Sequence, residues 1–224
     1  MKNKKILYIA IAAIAVVLVA VLAIVFAGGN TPDGNDDGTG NGGNTTPAYT
    51  NTVELLNKIW NTLPENSDEF PKYAKDEETG EISYYFVGGD MTMNEETWEP
   101  IVVYNGAGEV SLTADMLYMH YFPMDMVSKI EEAASIYSMM GNGLFTVAAY
   151  RVTNESDISD IAAKIEEGIQ NEFWMCCIPT RVVLVQAGNY LIAMYGQDAV
   201  EPFLEATLST IDGAEKLIDN PISR

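Results

Sequence analysis

Residues 6–27 form a run of 22 residues with no charge and no strongly polar side chain, preceded by Lys2, Lys4 and Lys5 and by no acid. A helix of that length rises about 33 Å, close to the roughly 30 Å hydrocarbon thickness of a bilayer. The run therefore predicts a transmembrane anchor, and the lysines place residues 1–5 in the cytoplasm. A cleaved signal peptide competes with this reading, because Val25-Phe26-Ala27 precedes Gly28-Gly29. The run is longer than the roughly 7–15 residues of a usual signal core, however, and lacks a clear small-x-small pair. On either reading the remainder is exported, so the expected location is the cell membrane, with the C-terminal domain outside.

All 32 acids follow the run, with nine of the 12 basic residues. Nine against 32 gives the exported part a formal charge of −23, against −20 for the whole chain. Such a surface repels nucleic acid and anionic headgroups and favours cations and basic partners. Nucleic-acid binding is excluded on this ground.

Residues 28–50 are almost entirely Gly, Asn, Asp, Thr and Pro. That composition cannot bury enough apolar surface to offset its ordering entropy, and it reads as a flexible linker with a reach of roughly 25 Å. Within it Asp33, Asn35, Asp37 and Gly38 match the start of a calcium loop. The twelfth position, which should supply a bidentate carboxylate, is Asn44, and no helical pattern flanks the loop. These three ligand candidates are the weak metal reading of the chain.

The folded domain is expected over residues 51–213, with 214–224 as a tail. Val53, Leu56, Trp60 and Leu63 recur at helical spacing before Pro64. The charged stretch 65–81 reads as loop, 82–87 as a strand ended by Gly88-Gly89, and 101–104 as a second strand. Asp125 can cap a helix carrying Met126, Ile130, Ala133, Ala134 and Tyr137 on one side. Residues 144–152 read as a buried strand. Ser156 or Asp157 can cap a helix with the stripe Ile158, Ile161, Ala162, Ile165 and Ile169. Residues 182–186 and 190–195 read as a hairpin turning at Gly188-Asn189, and 199–211 as a last helix with Pro202 in its first turn. This order predicts an α+β domain with helices packed on one face of a largely antiparallel sheet, around one core.

Catalytic signatures are absent. The single histidine, His120, lies among Tyr118, Met119, Tyr121 and Phe122, with no G-x-S-x-G elbow in the chain, and reads as a packed, satisfied side chain. Cys176 and Cys177 are the only cysteines and are adjacent, which suits neither C-x-x-C redox chemistry nor structural zinc. They can form a vicinal disulfide, stay as thiols or pair between chains; the neighbouring Phe173, Trp174, Met175 and Ile178 point to burial. Trp60, Tyr84, Tyr85, Trp98 and Trp174 read as core aromatics, with a sugar-stacking platform as the rival.

The Trp174-Met175-Cys176 run with Pro179, Gly188-Asn189-Tyr190, Tyr195-Gly196 and Phe203 together resemble an uncharacterised family of small exported domains of Gram-positive bacteria, tethered by one N-terminal span or signal. In that family glycine commonly follows the cysteine; here Cys177 stands there. The resemblance implies a membrane-tethered envelope domain and carries no catalytic or cofactor site. The leading expectation is a non-enzymatic module binding an envelope protein or wall polymer. The alternatives are a glycan or peptide hydrolase working through carboxylates and a domain responsive to divalent cations.

Overall fold

Eight of the ten strands join in one antiparallel sheet with helices on both of its faces, in a computed structural model that describes residues 49–68, 70–97, 100–175 and 177–222. The anchor and linker expected over 6–27 and 28–50, and the calcium candidates Asp33, Asn35 and Asp37, lie outside the described residues apart from Tyr49 and Thr50. Among the described residues no helix is long and apolar enough to cross a membrane.

The chain runs α1 (Thr52–Trp60), β1 (Tyr73–Lys75), β2 (Ile82–Tyr84), β3 (Phe86–Met93), β4 (Pro100–Tyr104), β5 (Gly108–Val110) and α2 (Ala114–Tyr118). A 3-10 turn, Met124–Lys129, leads into β6 (Ile130–Ser138) and β7 (Phe145–Val152). Then come α3 (Ile158–Asn171), β8 (Arg181–Ala187), β9 (Tyr190–Gly196), α4 (Val200–Thr210) and β10 (Glu215–Pro221). Across the main sheet the order is β10-β8-β9-β7-β6-β3-β4, and β5 also pairs with β6. Among the described residues the short β1 and β2 pair only with each other.

Both sets of alternating side chains in the central strands are apolar, so both faces need a cover. Val183, Val185, Val147 and Ala149 pack with α1 and α4 and with Phe70, Phe86, Phe145 and Phe203. Val182, Leu184, Ala148 and Tyr150 pack with the Ile158, Ile161, Ile165 and Ile169 stripe of α3. The single-faced, single-core arrangement expected from sequence is thus replaced by two apolar layers on one sheet.

Four further corrections follow from pairing. The residues read as a helix behind Asp125 form a 3-10 turn and then β6, which pairs with β7 from Ile130↔Val152 to Tyr137↔Thr146. Gly88-Gly89 do not end a strand but lie inside β3, whose pairing with β4 shifts register between Gly88 and Thr92. The loop expected over 65–81 contains β1. The expected tail contains β10, which pairs with β8 along the whole of 181–186.

α1 starts where Asn51 Oδ1 accepts from the Glu54 amide at 2.8 Å, a side-chain N-cap. Its other end is closed by Lys72, which is buried, donates from Nζ to the carbonyls of Trp60 (2.8 Å) and Leu63 (3.2 Å), and sits 4.5 Å over the Trp60 ring. Burial holds its ammonium below the usual lysine range. Lys72→Met keeps the stem but removes both donors, and is expected to cost about 2 kcal/mol in chemical denaturation. An unchanged midpoint would mean that water serves these carbonyls equally well.

Candidate functional site

The loop after α3 departs from its expected burial. Trp174 is the anchor: its Nε1 donates to the Ile169 carbonyl at 3.3 Å, and its ring packs against Tyr121 and Tyr195 with centroids 5.7 and 5.8 Å away. With that residue turned inward, its neighbours turn out. Phe173 is 82% exposed and Met175 85% exposed. Cys177 then adopts φ 50, in the left-handed region that favours glycine. It is half-buried, and its Sγ donates to the Met140 carbonyl at 3.6 Å. Cys176 lies outside the described residues, and with it the vicinal disulfide.

That contact brings the loop against the β6–β7 turn, where Met139 and Met140 are 51% and 69% exposed. The turn is itself well tied. Met139 N donates to the Tyr85 carbonyl (2.9 Å), Leu144 N to Gly141 (3.0 Å), and Gln197 N to Leu144 (2.9 Å). Gln197 Nε2 reaches the Ile178 carbonyl at 2.8 Å. The exposed methionines of the turn therefore stand on backbone held by hydrogen bonds, and with Phe173 and Met175 of the loop tied to it by Cys177 they make an exposed apolar rim of the kind that marks interaction surfaces.

Beside this rim opens a groove of about 390 Å³ whose walls include Pro71, Tyr85, Met140 and Leu144, with Asp68 and Asp198 at its edge. Asp68 and Asp198 also line a second hollow of about 450 Å³, together with Glu201, Pro202 and Glu205. Arg181 neutralises Glu201 and also holds Asp219 in a two-pronged pair at 2.7 and 2.9 Å, which keeps the Asp219 carboxyl down at about 2. Among the described residues no basic side chain pairs with Asp68, Asp198 or Glu205. An apolar slot thus runs into an acidic trough.

His120 is buried in the opposite apolar layer, 5% exposed, with its ring 6.2 Å from that of Tyr137. The expectation of a satisfied side chain fails at one atom: Nδ1 has no hydrogen-bond partner. The Tyr150 hydroxyl donates to the His120 carbonyl at 3.3 Å, a contact with its backbone only. Desolvation lowers the imidazole to about 4, against a small opposing pull from Asp90. It is therefore neutral near pH 7.

The other sequence candidates scatter. Trp60 is core, stacked edge-on against Phe70 and Phe86; Tyr84 stacks on Tyr104; Tyr85 alone of that set lines the groove; Trp98 lies outside the described residues. Among the described residues no group of three or more His, Cys, Asp or Glu is arranged to hold a metal. Sequence reasoning missed Asp68, Asp198, Glu205, Met140 and Leu144, which come from three segments far apart in the chain.

No protein-family model, curated protein or solved structure matches the chain.

Proposed function

We propose that the protein is a membrane-tethered, extracytoplasmic binding module of the cell envelope. The charge-free run behind three lysines supports the tether, and the Gly, Asn, Asp and Thr composition of 28–50 supports a flexible stalk. The resemblance to small exported domains agrees with both. The observation that carries the binding role is the rim: Phe173 and Met175 stand in solvent on either side of the half-buried Trp174, in a loop that Cys177 ties to the turn carrying the exposed Met139 and Met140.

A membrane-impermeant crosslinker applied to intact cells making the full chain tests this. The wild type is expected to yield a crosslinked envelope partner, and Phe173→Ser with Met175→Ser to cut its recovery about tenfold, since anchors at an interface centre are worth about 1–2 kcal/mol or more. Both side chains already face water, so the melting temperature should hold. No crosslink from outside, or equal recovery from both chains, would overturn the proposal.

A carboxylate hydrolase is the second reading, and Asp68, Asp198 and Glu205 on concave walls favour it. It requires turnover of an envelope peptide or glycan that Asp198→Asn abolishes.

A further inference from the structure

We propose that the groove docks an extended segment of a protein partner in which one large apolar side chain is followed by two or more lysines or arginines. This deepens the binding-module reading and rests on it. The apolar side chain enters the slot walled by Pro71, Tyr85, Met140 and Leu144; the cations lie along Asp68, Asp198 and Glu205.

Geometry comes first. The slot and the trough share Asp68 and Asp198, so a chain leaving one enters the other. About 390 Å³ lies at the small end of the range for ligand sites and suits one aromatic or long aliphatic side chain rather than a folded surface. Met140 belongs to both the groove and the exposed rim, which makes the slot continuous with the surface assigned to partner contact.

Charge then selects the occupant. Covering Asp68, Asp198 and Glu205 with a neutral segment would strip their water and return nothing, whereas a basic segment restores charge-assisted hydrogen bonds. Glu201 differs, because Arg181 already pairs with it, so the three remaining acids define the demand. A second copy of this chain, with a net charge of −20, meets general repulsion there. Anionic lipid headgroups and nucleic acid are refused for the same reason.

The test uses the full-length chain in detergent micelles and a fluorescent acetylated peptide, Phe-Lys-Lys-Lys-amide, followed by anisotropy. Controls are the same peptide with glutamates for lysines and one with alanine for phenylalanine. The basic apolar peptide is expected to bind at least tenfold tighter than either control, and to weaken at least tenfold on raising salt from about 50 to about 500 mM. Asp198→Asn with Glu205→Gln should weaken it about tenfold, and Leu144→Ser should do so without altering the salt dependence. All three positions are exposed or half-buried, and an unchanged melting temperature shows that the variants fold. Equal binding of all three peptides, or no effect of the acid substitutions, would overturn the groove proposal. If Asp198→Asn with Glu205→Gln leaves the crosslinked partner unaffected while Phe173→Ser with Met175→Ser removes it, the groove proposal falls and the binding module stands.

Discussion

Gly88→Ala is expected to destabilise the domain by about 3 kcal/mol, lowering its melting temperature by about 10 °C. A β-carbon there would lie 2.3 Å from both the Gly106 carbonyl oxygen and the Gly108 amide nitrogen, and backbone cannot rotate away as a side-chain tip can. The crowding comes from the way one edge of β6 is shared. β3 pairs with its upper part, through Gly88↔Ile136, and β5 takes over immediately below, through Gly108↔Ser135. The two strands must pass each other at backbone contact, and the Gly89 amide donates to Ser135 Oγ (3.3 Å) at the crossing. Gly168→Ala in α3 is the control. Its β-carbon would meet Tyr121 at an ordinary 3.5 Å, and alanine favours helix, so stability should hold or rise. Thermal unfolding of the two variants decides the matter; a Gly88→Ala midpoint near that of wild type would mean that the two strands can separate at no cost.

Acid should weaken the fold through His120. Its folded value of about 4 lies below the ordinary 6.5, so between these values the unfolded chain binds the proton that the native chain refuses. The contribution is complete above about pH 6.5 and is lost as pH falls through the window down to about 4. Between about pH 7 and 4.5 the wild type should lose about 2 kcal/mol more than His120→Phe, which keeps a ring of similar size and cannot titrate. Tyr137 and Asp90 are the titratable groups felt at this site, and the Asp90 carboxylate opposes the shift only weakly. Asp219, held near 2 by Arg181, contributes in a separate window below about pH 4. Denaturant titrations at the two pH values check the difference, and parallel losses in both chains would place the histidine in contact with water.

The elements legible in sequence were those whose pattern matches their surroundings on one side. α3 has a water face and a core face, and its isoleucine stripe appears at the expected spacing. The β8–β9 hairpin turns at Gly188, φ 57, with the Gly-first geometry expected. β6 was misread because it is covered on both faces for most of its length. Ile130, Ala133, Ala134 and Tyr137 are all buried, and that set mimics a helical stripe as well as it fits a two-sided strand. β10 was missed for the opposite reason: its side chains are mostly exposed, and it is held by backbone pairing, by polar contacts such as Arg181–Asp219 and Asn220–Glu166, and by the half-buried Ile218. The groove was illegible in principle, since its walls meet only after the sheet has brought 68–71, 85, 140–144 and 198–205 together.

The placement of β10 also bears on the order in which the chain can safely be made. β8 carries Val182-Val183-Leu184-Val185, four buried apolar residues without a charge, and β9 satisfies only one of its edges. The other edge waits for β10, which follows after a hairpin partner and a whole helix. Until then the nascent protein displays an uncharged, β-branched template that a neighbouring chain could extend. The strand that closes it carries Lys216 and Asp219 and ends in Pro221, residues that make a poor template in turn. A polar strand with little core of its own thus has a kinetic duty: it ends the interval in which the growing molecule is open to self-association.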